Sequence, residues 1–279
     1  MGVLSKDTIE TWIVPHLTIG TRGPQPTVPL YQLVDAMFYR LKTGCQWREL
    51  PLIEHFGRDD VISWNTVFYH FNKWSLAGCW QAVWLNLLKT FRHCLDLSSV
   101  AFDGSHTPAK NGGDAVGYQG RKAANTTNAL FLTDKRGVIL AMSTPQAGEH
   151  HDLFQIQTLF GEICALLTQA GISLKGLFLN ADAGFDADSF RTACQAEEIM
   201  PNVRPNPRSG SPTLYKSGQH VFDEVLYGER GVVERSNAWL DSFKGLLVRF
   251  EFSVRNWKSL HFMAFLVIFL RRILRKQKP

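Results

Sequence analysis

Apolar side chains recur along this chain in two different rhythms, and the change from one to the other falls near residue 97. Residues 28–43 repeat at helical spacing, and Gly44 stands where a helix ends in a left-handed residue. A short loop with Trp47, Leu50 and Pro51 follows. Residues 63–74 predict a second helix, capped by Ser63 or Asn65, and a third runs from about Leu76 to Phe91. Three short helices with a basic, aromatic middle one resemble a helix-turn-helix unit. A plain helical bundle contacting a second domain is the alternative this pattern leaves open.

Beyond residue 97 strand-like runs take over. Leu97–Phe102 is a short strand ending at Asp103, and 128–133 and 138–143 form a hairpin across Asp134-Lys-Arg-Gly137. His151–Ala170 is amphipathic at helical spacing, with Gly171 stopping it. Gly176–Asn180 is a buried-type strand running into Asp182, 188–198 a helix, and 199–203 a further strand. A loop rich in Pro, Gly and Ser spans 204–222. Leu226–Leu240 then reads as one helix, and a last helix starts at about Asn256. The order β-β-β-α-β-α-β, then a loop and a long helix, is that of the ribonuclease-H-like arrangement, a central mixed sheet flanked by helices. The expected class is therefore α/β: a ribonuclease-H-like catalytic domain over 96–279, preceded by an all-helical, helix-turn-helix-like domain over 1–95.

Composition narrows the class of partner. With 279 residues, 45% hydrophobic and 12% aromatic, the chain can build a substantial core. Its five cysteines are far apart and form no C-x-x-C pair, which points away from zinc and disulfide frameworks and towards a reducing cytosol. The opening residues Met-Gly-Val-Leu-Ser-Lys lack the apolar run of a signal peptide. Leu260–Leu270 is shorter than the roughly 20 residues a bilayer requires, so it predicts a buried helix and no membrane partner. The formal net charge is +5, but residues 201–279 hold 14 Lys/Arg against 6 Asp/Glu, which leaves the rest of the chain at −3. Such an end suits a polyanion, most simply nucleic acid. A solubilising tail would account for 271–279 but not for the basic residues spread through the preceding seventy positions.

Three acids stand out against this layout. Asp103 and Asp182 each end a strand, and in a sheet where those strands are neighbours both project at one edge. Glu234, on a helix packed across that edge, can join them. Tyr227 and Arg230 lie seven and four residues before Glu234, on the same helical face. Taken singly, Asp103 before a glycine is a turn residue, Asp186 or Asp188 a cap, and Arg230/Glu234 a solvated ion pair. Taken together, three carboxylates in one pocket repel unless cations neutralise them, and oxygen-only ligands select Mg²⁺ or Mn²⁺. Two such ions, about 3.5–4 Å apart, suit phosphoryl transfer.

These motifs resemble those of the DDE transposases of bacterial insertion sequences, in the IS-five-like branch. The likeness runs from about residue 28 to 272. It rests on Leu41–Pro51 (Leu-Lys-Thr-Gly-Cys-Gln-Trp-Arg-Glu-Leu-Pro), on Trp64-Asn-Thr-Val-Phe-Tyr69, and on Asp103-Gly-Ser-His106. Gly148-Glu-His-His-Asp152, Asn180-Ala-Asp-Ala-Gly-Phe-Asp186 and the Tyr227/Arg230/Glu234 spacing complete it. The resemblance implies a catalytic, metal-binding triad of Asp103, Asp182 and Glu234, with Tyr227 and Arg230 completing the signature and counted among the DNA-binding residues. It implies DNA partners, both terminal inverted repeats and target DNA, a homodimer or higher oligomer on DNA, and a nucleoid-associated protein of the bacterial cytoplasm. The implied activity is metal-dependent cleavage and strand transfer. A nuclease without strand transfer, or a catalytically silent DNA-binding remnant, are the alternatives.

The pattern departs from the family at one place. The signature continues six residues beyond the glutamate to a lysine that meets terminal DNA, and here that position is Asp241. Arg235, Lys244 and Arg249 are the candidate replacements, although Lys244 would lie about 80° around a continuous helix from Glu234. His150, His151 and Asp152 resemble a ligand cluster, but at the start of a helix their structural role is preferred. His106 can touch substrate or be an ordinary loop histidine. Trp239 and Phe243 are expected in the core, with base stacking by Trp239 as the alternative.

Overall fold

Glycines and capping side chains divide the chain into short elements. The structure is a computed structural model that describes residues 2–18, 26–58, 62–206 and 222–276. In the loop expected over 204–222, residues 207–221 lie outside the described residues. Helices α1 (Lys6–Trp12), α2 (Leu30–Thr43), α3 (Leu52–Phe56), α4 (Trp64–Leu76) and α5 (Cys79–Thr90) come first. Strands β1 (Val100–Pro108), β2 (Gly117–Gln119), β3 (Ala124–Asp134), β4 (Ile139–Met142) and β5 (Gln146–Ala147) follow. Then come α6 (Ile156–Gln169), β6 (Phe178–Ala181), α7 (Asp188–Ala196) and β7 (Met200–Val203). The chain closes with α8 (Glu224–Tyr227), α9 (Val232–Asp241), α10 (Lys244–Leu247) and α11 (Val254–Lys276).

Contacts group the residues into two compact units: 1–87 with 110–113 and 239–279, and 88–109 with 114–238. In the first, α2 stops at Gly44, which adopts φ 70°, and α4 is capped by Ser63 Oγ, which accepts from the Asn65 N–H at 3.2 Å. Gly78, at φ 68°, turns the chain between α4 and α5. The apolar stretch of α11 is buried, and Trp84 meets Phe265 and Phe269 edge-on. This packing brings the C-terminal helix together with the N-terminal ones. No helix among the described residues is long and apolar enough to cross a membrane.

The second unit is a mixed sheet in the order β2-β3-β1-β6-β7, with β4 and β5 also pairing β3. β1 runs antiparallel to β3 and parallel to β6, and β6 runs parallel to β7. With α6 and α7 beside it, this is the expected ribonuclease-H-like α/β arrangement. Phe102 packs against Phe160 of α6 and Phe190 of α7, so alternate residues of β1 face these helices. The β3–β4 turn closes as anticipated: Asp134 Oδ1 accepts from the N–H groups of Arg136 and Val138, and Gly137 adopts φ 83°.

The short elements α1, α3, β2, β5 and α10 were not expected from the sequence, and three expected elements take other bounds. β1 does not end at Asp103 but continues to Pro108, because the 11-residue β3 supplies a ladder partner at each step to Thr126. The helix expected from His151 begins only at Ile156. Residues before it turn, with Phe154 N–H bonding the His151 carbonyl, and Gln155 sits at φ 49°, a conformation no helix extends through. The single helix expected over Leu226–Leu240 is instead α8, a 3₁₀ turn over Gly228–Gly231, and α9. Two glycines bound that turn, where the helical hydrogen-bond pattern tightens.

Candidate functional site

The register of β1 on β6 pairs Ala101 with Asn180 and Phe102 with Ala181. The ladder ends there: Asp103 follows on β1, on the sheet face that Ala101 shares, and Asp182 stands just past the end of β6, close enough for its charge to act on the Asp103 carboxyl. Ala101 packs with Val232 and Val233, so this is the face that α9 covers. The Ser236 hydroxyl, donating to the Gly137 carbonyl at 2.9 Å, ties the same helix to the β3–β4 turn. Just upstream, Glu229 accepts from Ser99 Oγ at 2.8 Å and pairs with Lys135 at 2.8 Å. These anchors hold the 3₁₀ turn against the start of β1 and bring Arg230 to Asp103.

Each carboxylate is oriented locally. Asp103 Oδ1 accepts from the Gly104 N–H at 2.9 Å, and its Oδ2 faces Arg230 at 3.9 Å. Asp182 caps a single 3₁₀ turn over Ala183–Phe185, its Oδ1 accepting from the Gly184 N–H at 2.8 Å. Arg230 also holds Glu234 at 3.2 Å and lies over the Tyr227 ring at 5.9 Å. The signature spacing thus yields one connected group, with the arginine between an aspartate of the sheet and a glutamate of the helix. Burial pushes the Asp103 carboxyl up to about 6, and the neighbouring Asp182 carboxylate adds to the effect. The Gly104 N–H and Arg230 act against it.

The donor set fits a hard cation at the Asp103–Asp182 pair: one carboxylate on β1 and one just past the end of β6, the first destabilised as an anion by the second. Glu234 is mostly exposed and directed to Arg230. Among the described residues no three His, Cys, Asp or Glu side chains converge on one point that could hold a metal ion.

Asp152 also belongs to this neighbourhood. A Cβ on Gly104 would collide with its carboxylate, so the absence of a side chain beside Asp103 is what admits Asp152. Asn128, fully buried on β3, donates to Asp152 Oδ1 at 2.7 Å. Asp152, His106, Arg121 and Lys122 line a cavity of about 320 Å³. His106 is a strand residue rather than a loop one; its Nδ1 shares a hydrogen bond with Thr126 Oγ1, and burial holds its ring below the ordinary imidazole value. Asp152 was expected to open a helix, and the left-handed Gln155 prevents that. No sequence pattern marks Asn128 or Glu229, because both act through partners at least 24 residues away.

The basic candidates separate. Arg235 is exposed on α9, and Lys244 is exposed at the start of α10, a different helix from that of Glu234. The expected angular offset between Lys244 and Glu234 therefore has no meaning, since α9 ends at Asp241. Arg249 is 1% exposed and donates to the backbone carbonyls of Glu251 and Phe252. That burial takes its guanidinium off the surface where a phosphate could be met. Phe243 is buried as expected, and Trp239 lies under the Arg272 guanidinium at 5.7 Å.

Fold and carboxylates together define a ribonuclease-H-like domain with one acid on β1 and another just past the end of the adjacent parallel strand β6. The family model "Transposase DDE domain" matches residues 95–270, and the chain belongs to that family, the DDE transposases. A second model, "Putative transposase of IS4/5 family" (DUF4096), matches residues 8–84. No curated protein matches the chain. Among solved structures, the Mos1 mariner paired end complex with Mn is 12% identical over 88% of this chain and 79% of its own, with a TM-score of 0.29. The catalytic domain of Mos1 mariner transposase is 13% identical over 67% and 88%, also with a TM-score of 0.29.

Proposed function

We propose that this transposase binds the terminal inverted repeats of an insertion sequence and carries out metal-dependent cleavage and strand transfer at Asp103, Asp182 and Glu234. The observation that carries the proposal is the Asp182 carboxylate at the end of β6 beside Asp103 of the adjacent β1, with Asp103 pushed up to about 6. A pair of half-buried like charges is unfavourable in the bare protein and becomes favourable once a divalent cation is shared.

Asp103 and Asp182 would hold Mg²⁺ or Mn²⁺, and Glu234 would join them once a DNA phosphate draws Arg230 away. A divalent cation held there, or two in this proposal, would help activate the attacking oxygen and stabilise the leaving one. The chain's own residues do the rest. Arg230 neutralises the carboxylates before substrate arrives and then contacts phosphate. Tyr227, beneath its guanidinium, limits the directions in which that side chain moves. Arg235 and Lys244 supply further phosphate contacts.

End binding by residues 1–95 and catalysis by 96–279 is a division of chemistry. It does not follow the contact units, because α10 and α11 pack with the N-terminal helices. Joining two ends calls for a homodimer or higher assembly on DNA, and a bacterial cytoplasmic, nucleoid-associated setting goes with that substrate.

The test is cleavage of inverted-repeat DNA with Mg²⁺, followed by strand transfer from a pre-cut 3′-hydroxyl end. Wild type is expected to perform both and Asp182→Asn neither. Equal cleavage by the two proteins would refute the carboxylate assignment. Cleavage without joining would leave a nuclease.

A further inference from the structure

One face of α4 is packed and the opposite face carries a polar stripe. Val67, His70, Phe71, Trp74 and Ser75 are buried. Asn65 and Tyr69 are exposed, Tyr69 by 60% despite its size, and Lys73 is half-buried. The three stand at i, i+4 and i+8, so they follow one another along the helix. Among the described residues their side chains take no hydrogen bond or ion pair. Exposed Arg48 lies over the Trp64 ring at 5.3 Å, at the N-terminal end of the stripe. Helix α4 contains no Asp or Glu. Cations therefore stand at both ends of a strip whose middle is an amide and a phenol.

This arrangement matches one surface chemistry. Phosphates demand cations at the margins, and base edges demand donors and acceptors between them. Eight residues at 1.5 Å place Asn65 and Lys73 about 12 Å apart along the axis, comparable to the roughly 12 Å width of a major groove. Helix α5 offers no such strip, since its outer face carries Ala82 and Leu85, and the Asn86 amide is hydrogen-bonded to His16 at 3.0 Å.

We propose that α4 reads duplex DNA in the major groove, with Asn65 and Tyr69 on base edges and Arg48 and Lys73 on the flanking phosphates. The assignment rests on the reading of the chain as a DNA-end-binding transposase, and places sequence recognition on α4 rather than α5.

The experiment is selection from a randomised duplex pool by the full chain, followed by titration of the selected site and an unrelated duplex. Asn65→Ala is expected to lose preference at one or two positions and to bind the selected site roughly ten- to a hundredfold more weakly, with unrelated DNA unchanged. Tyr69→Phe, which removes only the hydroxyl, is expected to lose about tenfold on the selected site alone. Lys73→Ala should weaken both duplexes alike and lower the salt slope by about one. Preference retained in full by Asn65→Ala and Tyr69→Phe, or an equal loss on both duplexes, overturns the stripe while sparing the parent reading. A wild type that selects no sequence overturns both. Circular dichroism confirms that the exposed-site variants fold.

Discussion

Replacing Asp103 by Asn should make the metal-free protein more stable above about pH 6 and leave it unchanged near pH 4. In the folded chain this carboxyl keeps its proton up to about 6, against an ordinary value of 3.8. Between those values the folded state binds more protons than the unfolded one, so stability falls as pH rises through the window and stays low above it. At 1.36 kcal/mol per tenfold change in proton affinity the displacement is worth roughly 3 kcal/mol at most, and the side chain's 21% exposure lowers the expectation to about 1–3 kcal/mol. Asn keeps an oxygen for the Gly104 N–H, so the substitution removes mainly the charge. The assay is urea unfolding of wild type and Asp103→Asn in EDTA at pH 4 and pH 7.5, repeated at pH 7.5 with Mg²⁺. The variant should gain in EDTA at pH 7.5 only, and Mg²⁺ should stabilise wild type alone. A variant equal to or less stable than wild type in EDTA at pH 7.5 would refute the like-charge account of the site.

Three further outcomes follow from the same contacts. Gly104→Ala should destabilise by about 1–3 kcal/mol, because its Cβ meets the Asp152 carboxylate, and a double-mutant cycle in an Asp152→Ala background should show most of that cost removed. Arg191→Met should cost about 3–5 kcal/mol in thermal unfolding, since it breaks the 2.7 Å buried pair with Asp186, the residue that also accepts from the Asn206 N–H. Arg230→Ala should move the Asp103 titration, read by carboxyl NMR, further upward, because the guanidinium now opposes the rise. The same variant should also lower binding to inverted-repeat DNA, read by titration at fixed salt.

The element order was legible because helical and strand periods, glycine stops and the Asp134–Gly137 turn act over a few residues. So was the neighbouring of Asp103 and Asp182, which the strand order implied: β1 and β6 lie side by side, and the Asp182 charge acts on the Asp103 carboxyl. The extent of β1 was not legible. Its last residues are extended because β3 continues opposite them, and nothing local to Gly104 or His106 announces a partner 20 or more positions away.

Side-chain roles divide along the same line. Tyr227, Arg230 and Glu234 could be placed on one face from spacing alone, and they remain together although the helix carrying them is interrupted at Gly228–Gly231. That Arg230 also reaches Asp103 depends on Glu229 gripping Ser99 and Lys135. Arg249 looked like a surface cation because charge is visible in a sequence and burial is not; its carbonyl partners lie two and three residues on, and what folding adds is the burial that leaves it 1% exposed. Asp152 gained its place beside Asp103 from a missing side chain at position 104. The sequence by itself determined which chemical groups are present and which elements carry them, since those follow from local propensity. Tertiary structure decided which carboxylates share a neighbourhood and which cations are spent on the protein's own interior. Electrostatics and desolvation depend on distances through space, and only the folded chain sets those.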